Sequence, residues 1–71
     1  MTTERPKVTL TGRYSVMQTC AELGISRDSL RKYTEVTQEI KCGWRTIGGR
    51  LRKFYLGSEI LRFFDSKATP V

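Results

Sequence analysis

SVMQTCAELGISRDSLRKY, residues 15–33, contains two helix starts separated by one helix stop. Ser15 is a favourable N-cap, and Gln18 three residues later completes a capping box. Gly24 is typical of the left-handed residue that ends a helix. These signals predict a first helix over Val16–Leu23.

The apolar residues of this first helix recur at helical spacing: Val16, Met17, Cys20, Ala21 and Leu23. A stripe with this period usually faces a core. We therefore expect Met17 to be buried and expect Thr19, on the polar side, to be exposed.

A second helix starts directly after Gly24. Ser26 is a second N-cap, and the helix is expected to run from Arg27 to about Val36, where β-branched residues accumulate. Leu30 should face inward, whereas Arg27 and its neighbours on the outer face stay in solvent. Two short helices joined by a turn that contains glycine form a helix-turn-helix.

A β-hairpin is predicted next, because Gly48-Gly49 separates two runs rich in β-formers, 43–47 and 50–56. Trp44, at the start of the first run, is expected to cover the core. Ser58 then caps a third helix, whose apolar residues close the core: Ile60, Leu61, Phe63 and Phe64.

The resulting fold class is α+β, in the order helix, turn, helix, hairpin, helix. Residues 13–66 form the domain, residues 1–12 a disordered or loosely attached arm, and residues 67–71 a disordered tail. The sequence of residues 8–10 is compatible with a short additional strand but does not require one.

Composition narrows the function. Thirteen Lys and Arg face seven Asp and Glu in 71 residues, which gives a net charge of +6 and a pI near 9.8. Between residues 27 and 53, eight cations oppose three carboxylates. This charge distribution is typical of nucleic-acid binders.

Other residue types argue against catalysis and cofactors. The chain has no histidine, so we expect no enzyme, and its two cysteines alone cannot supply a zinc site. Cys20 is expected as a reduced thiol in the core. Residues 1–13 lack an apolar signal-peptide region, and no apolar run is long enough to span a membrane. The expected location is the cytoplasm, in association with the nucleoid.

YSVMQTCAELGISRDSLRKY, followed by IGGRLRKFYLGSEILRFF, resembles the excisionase-type winged helix-turn-helix proteins of phages and integrative elements, which are related to MerR-like DNA-binding domains. The resemblance spans about Tyr14 to Phe64. It implies that the second helix enters the DNA major groove and that the hairpin, as a wing, follows the backbone or the minor groove. Its implied DNA contacts are Ser26, Arg27, Arg31, Lys32 and Tyr33 in the helix, and Arg50, Arg52 and Lys53 in the wing.

The sequence departs from MerR-type regulators at Lys32, where an aromatic residue is common. It also lacks the dimerising helix and effector domain of those regulators, so no small-molecule effector is expected. The resemblance implies an architectural factor for excisive recombination or a small transcription regulator, with double-stranded DNA, a site-specific recombinase or further copies of itself as partners.

Several assignments stay open at the level of sequence. Arg27 and Arg31 suit guanine edges, but a solvated helix face also accommodates them. Tyr33 is equally compatible with the core. Arg50 and Arg52 suit a narrow minor groove, although charged residues also protect edge strands. A protein–protein adaptor for a recombinase and an RNA-binding module remain as alternative functions.

Overall fold

In the computed structural model, which describes residues 4–68, the chain forms three α-helices and a three-stranded antiparallel sheet. The elements in chain order are β1 (Arg13–Ser15), α1 (Val16–Leu23), α2 (Arg27–Arg31), a π-helical turn (Lys32–Val36), β2 (Gly43–Ile47), β3 (Arg50–Leu56) and α3 (Gly57–Ala68). The predicted α+β class is confirmed, and α1, β2 and β3 have the predicted bounds.

Both predicted caps and the glycine stop are present. The Gln18 N–H donates to Ser15 Oγ over 3.1 Å, and the Ser15 N–H donates to Gln18 Oε1 over 3.0 Å. Gly24 ends α1 in the left-handed conformation, with φ 68° and ψ 38°. Ser26 caps α2 by accepting the N–H of Ser29 at 3.1 Å. These bonds satisfy backbone donors that a helix start otherwise leaves unpaired.

The second helix reaches Val36 as predicted, but its last turn is π-helical. The Thr37 N–H donates to the Lys32 carbonyl, five residues earlier, over 3.0 Å. One turn upstream, the Thr34 hydroxyl donates to the Leu30 carbonyl over 2.8 Å. A side-chain donor at this position competes with the backbone for the carbonyl, which bends or widens helices.

The sheet has the strand order β1-β3-β2. Gly48 and Gly49 both have positive φ, 58° and 78°, as the two central residues of a type I′ hairpin turn require. β1 pairs with β3 through Tyr14 and Tyr55, and no pattern in the sequence predicted this strand. Residues 8–10, the optional strand, lie outside all three strands.

One side of the sheet packs against the helices. The buried core consists of Cys20, Leu23, Leu30, Ile40, Tyr55, Ile60, Phe63 and Phe64. The Tyr55 hydroxyl lies 2.7 Å from Thr34 Oγ1, so the one polar atom of this buried ring has a partner. The core position predicted for Cys20 is confirmed.

Three predicted side-chain positions are wrong. Thr19 is fully buried, because its hydroxyl donates to the Ser15 carbonyl over 2.8 Å and needs no water. Met17 is 72% exposed, since the buried face of α1 follows Cys20 and Leu23. Trp44 is 59% exposed, because its ring does not pack against the core and instead lies 5.3 Å from the ammonium of Lys53.

Residues 4–12 contact the start of α3. The N–H groups of Gly57 and Ser58 donate to the carbonyls of Gly12 and Leu10 over 2.9 and 3.1 Å. A Cβ atom on Gly57 would lie 1.7 Å from the Thr9 carbonyl oxygen, so this approach requires glycine. The segment predicted as a loose arm thus supplies acceptors to α3, which begins one residue before the predicted cap.

The predicted tail, residues 67–71, is described only in part. Lys67 and Ala68 continue α3. Residues 69–71 lie outside the described residues, as do residues 1–3.

Candidate nucleic-acid interface

The sheet face that points away from the core carries arginines from all three strands. Side chains alternate along a strand, so Arg50 and Arg52 lie on the face opposite the buried Tyr55. Residues directly opposite each other in a register share a face. Arg45 pairs with Arg52, and Arg13 pairs with Leu56, so both belong to this open face as well.

The start of α2 adds a fifth arginine. Arg27 lines a cleft of about 570 Å³ together with Arg13, Arg45 and Arg52. The exposed apolar side chains of Met17 and Ile47 line the same cleft. We call the five arginines the cationic face: Arg13, Arg27, Arg45, Arg50 and Arg52. All five are exposed.

The arginines of the cationic face are not neutralised by acidic neighbours. Within residues 4–68, none of the five lies in an ion pair with a carboxylate. Like charges are instead held side by side, as in the Arg45–Arg52 pair across β2 and β3. Like charges directly opposite in a sheet are unfavourable. The arrangement therefore leaves concentrated positive charge available to an anionic partner.

The cations on α3 differ from the arginines of the cationic face, because they are paired with carboxylates. Arg62 binds Glu59 over 2.7 Å, and Lys67 binds Glu39 over 2.5 Å. These hydrogen bonds hold the pKa of Glu59 and of Glu39 below the ordinary value, because they favour the ionised carboxylate. Arg5 also pairs with Asp65 of α3. The ion pairs thus lie on the helical side of the sheet.

Phe54 supports the cationic face. Its ring covers Gly43 on the neighbouring strand, where a Cβ atom would approach the ring to 2.4 Å. The guanidinium carbon of Arg13 lies 5.4 Å from the centre of the same ring, within cation–π range. Phe54 is half-buried on the open side and holds Arg13 against the sheet.

Lys53, a predicted wing contact, also lines the cleft, but its side chain projects from the face of β3 opposite Arg52. Its side chain is 17% exposed, and its ammonium lies 3.8 Å from Glu35 Oε1 in the π-helical turn. The same ammonium lies 5.3 Å from the centre of the Trp44 ring. Lys53 therefore connects the hairpin to the second helix, and its charge is compensated within the protein.

The predicted contacts on the second helix fall into two groups. Arg31 and Lys32 are exposed on its outer side, with Arg31 at 4.0 Å from the carboxylate of Asp28. Ser26 and Tyr33 are engaged within the protein. The Ser26 hydroxyl caps α2 and donates to Ser29 Oγ over 3.0 Å.

Tyr33 packs towards α3 and away from the cleft. Its ring centre lies 4.9 Å from that of Phe63, and the Lys67 ammonium lies 5.1 Å from it. The structure therefore brings Arg27, Arg52 and Lys53 of the predicted set to one cleft, with Arg50 on the same sheet face as Arg52. It adds Arg13 and Arg45, which the predicted set omitted.

The described part of the chain holds no candidate metal site: no group of three or more Cys, Asp or Glu side chains is close enough to bind an ion. Burial raises the pKa of the Cys20 thiol, which disfavours the reactive thiolate. None of the helices in residues 4–68 has the length and apolar character needed to cross a membrane.

Comparisons with protein-family models, with curated proteins and with solved structures found no significant match to this chain.

Proposed function

We propose that this protein binds double-stranded DNA through the cationic face. The observation that carries the proposal is the convergence of five exposed arginines, from three strands and one helix, with no carboxylate partner among residues 4–68. A duplex presents phosphates at regular spacing along two strands, and arginine pairs well with phosphate.

The proposed arrangement is a winged helix-turn-helix. α1 and α2 are the helix-turn-helix, and the β2–β3 hairpin is the wing. α2 lies in the major groove with Arg27, Arg31 and Lys32 directed at bases or phosphates. Arg50 and Arg52 follow the adjacent backbone or minor groove. The cleft that Arg27 and Arg52 line together supports this arrangement, because the start of α2 and the hairpin are adjacent there.

The biological role that fits best is an excisionase-like architectural factor or a small transcription regulator, in agreement with the resemblance to excisionase-type winged helix-turn-helix proteins. Neither role requires catalysis. A single short helix reads few base pairs, so several copies on adjacent sites, or a recombinase, would complete the recognition.

The test is an NMR titration of the ¹⁵N-labelled protein with a random 15-base-pair DNA duplex at two salt concentrations. Amide shifts should cluster around Arg27, Arg45 and Arg52 and should shrink at the higher salt concentration. The amides near Arg62 and Lys67 serve as the internal control, because their cations are already paired.

A matched titration uses a single-stranded RNA of the same length. Larger shifts with this RNA, spread over β2 and β3, would favour the RNA-binding alternative. Shifts that are absent with duplex DNA, or that are scattered and unaffected by salt, would refute the proposed function.

A further inference from the structure

Two apolar side chains lie exposed within the cleft that the arginines line. Met17 of α1 is 72% exposed, and Ile47 at the end of β2 is 50% exposed. Both line the same cleft of about 570 Å³ as Arg27 and Arg52. The cleft therefore combines positive charge with apolar surface, and the positive charge alone does not explain the apolar part.

The charge next to Ile47 lies on its own face of the sheet. Ile47 pairs with Arg50 across the hairpin, and Arg45, two residues earlier in β2, points to the same side. Within residues 4–68, neither arginine is in an ion pair with a carboxylate. Leu51, by contrast, lies on the opposite face, beside the compensated Lys53. Ile47 is therefore the exposed aliphatic residue of the hairpin that has uncompensated positive charge beside it.

The backbone of a DNA strand combines the same two properties. Its phosphates carry the negative charge, and the deoxyribose between two phosphates presents carbon atoms, among them the methylene group at C2′. Ribose carries a hydroxyl at C2′ instead, and this group allows a protein to distinguish RNA from DNA. A surface that places exposed aliphatic groups beside arginines is therefore more complementary to a deoxyribose backbone than to a ribose backbone.

The cleft lies where such a backbone would pass. In the proposed arrangement, α2 occupies the major groove and the hairpin follows the adjacent backbone or minor groove. The backbone of one strand separates two adjacent grooves, so it runs between the helix and the hairpin. Arg27, at the start of α2, and Arg52, in the hairpin, both line the cleft.

We propose that the cleft holds the backbone of one DNA strand, with Met17 and Ile47 packed on deoxyribose rings while the neighbouring arginines bind the phosphates, and that these two side chains select deoxyribose over ribose. This proposal rests on the proposed function and adds to it the part of the nucleotide that the cleft recognises. It assigns the exposure of Met17 and Ile47 to binding.

The neutral polar side chains of the cleft are already engaged within the protein. Ser15 Oγ accepts the Gln18 N–H, and Gln18 Oε1 accepts the Ser15 N–H. The Tyr14 hydroxyl accepts the N–H of Thr9 over 2.8 Å. A ribose 2′-hydroxyl held against the two apolar side chains would find these acceptors occupied. Burial of a hydroxyl without a partner lowers affinity by about fivefold or more.

The test compares the affinity of the full chain for two labelled duplexes of one sequence, measured by fluorescence anisotropy. One duplex is entirely DNA. The other has ribonucleotides at alternate positions of both strands, so that every binding register places a 2′-hydroxyl at the cleft. The wild-type protein should bind the DNA duplex at least about fivefold more tightly.

Two substitutions introduce polar groups that can pair with the 2′-hydroxyl. Met17→Gln keeps an unbranched side chain in α1, and Ile47→Thr keeps a β-branched side chain in β2. Together they should reduce the preference for the DNA duplex at least about threefold, and each alone should reduce it in part. The slope of log K against log salt concentration should stay unchanged, because no cation is altered.

Leu51→Ala is the matched control. Leu51 is 69% exposed in the same hairpin but lies on the face opposite Ile47, so its loss should leave the preference for the DNA duplex unchanged. A different shape of the ribose-containing duplex would affect the control and the other variants alike, whereas the sugar contact is lost only in the Met17 and Ile47 variants. Circular dichroism of each variant verifies that the fold is retained.

The outcomes separate this proposal from the proposed function. Salt-dependent binding of wild type with equal affinity for the two duplexes would overturn the sugar contact and leave DNA binding intact. A preference that the double variant retains in full, or that Leu51→Ala lowers equally, would have the same meaning. A smaller salt slope in the double variant would show that phosphate contacts were lost instead, which also overturns the sugar contact. An absence of duplex binding would overturn both proposals.

Discussion

The salt dependence of DNA binding is the property that the charge distribution determines most directly. Each phosphate that a protein neutralises on B-DNA contributes about −0.9 to the slope of log K against log salt concentration. The five arginines of the cationic face lack a carboxylate partner within residues 4–68, so they alone contribute about −4.5 to the slope, and a phosphate contact of Arg31 or Lys32 would add to it. Between 50 and 200 mM salt, affinity should fall about 500-fold.

Arg52 and Lys53 provide a matched pair of substitutions, because they are neighbours on opposite faces of β3. Arg52→Ala should change the slope to about −3.6, so that affinity falls only about 150-fold over the same salt range. Lys53→Ala should leave the slope unchanged, because the Lys53 ammonium is already compensated by Glu35 at 3.8 Å.

The assay is fluorescence anisotropy of a labelled duplex at five or more salt concentrations, with all three proteins measured side by side. Equal reductions of the slope in Arg52→Ala and Lys53→Ala would refute the distinction between free and compensated cations. A wild-type slope near zero would refute binding through the cationic face altogether.

Three further predictions concern specificity and stability. Once a specific site has been selected from random duplexes, Arg31→Ala should weaken binding to that site by about 1–3 kcal/mol, with a much smaller loss on random DNA; equal losses would limit Arg31 to a phosphate contact. Gly57→Ala should lower the free energy of unfolding by about 2–4 kcal/mol in urea titrations, because its Cβ atom displaces the Thr9 carbonyl and breaks two backbone bonds; a loss below about 1 kcal/mol would contradict that packing. Stability should fall at both pH extremes. The pKa values of Glu39 and Glu59 are lowered in the folded protein, so these carboxylates stabilise the fold above pH 4.5, and that stability is lost as acid protonates them. The pKa of the buried Tyr55 hydroxyl is raised, so the free energy of unfolding should decrease as pH rises above 10.0. Chemical denaturation at a series of pH values measures this. The double variant Glu39→Gln, Glu59→Gln should reduce the loss of unfolding free energy at acid pH, and Tyr55→Phe should reduce the loss at alkaline pH. Losses equal to those of the wild type would show that these groups do not cause them.

Local signals in the sequence were sufficient for most of the secondary structure. The caps at Ser15 and Ser26 and the stop at Gly24 act within a few residues, so their effect is visible in the sequence. The Gly48-Gly49 turn also determines the hairpin register. Counting outward from that turn pairs Arg45 with Arg52, so the sequence contained the signal for this member of the cationic face.

Features that depend on distant contacts were not predictable in this way. β1 has three residues, and Arg13 reaches the open face because this strand pairs with β3 more than forty residues later. The role of Gly57 depends on where the Thr9 carbonyl comes to lie. The neutralisation of Lys53 likewise depends on how close the hairpin lies to Glu35, and neither distance can be obtained from local patterns.

The separation of free arginines from paired cations has a kinetic consequence. It gives the molecule an electric dipole, with its positive end at the open side of the sheet and the balanced pairs on α3 behind it. In the field of any polyanion, such a dipole experiences a torque before contact is made. The torque acts over about one Debye length, ~8 Å at physiological ionic strength. A larger fraction of encounters therefore begins in the orientation that leads to binding, and added salt, which shortens the range of the torque, also slows association.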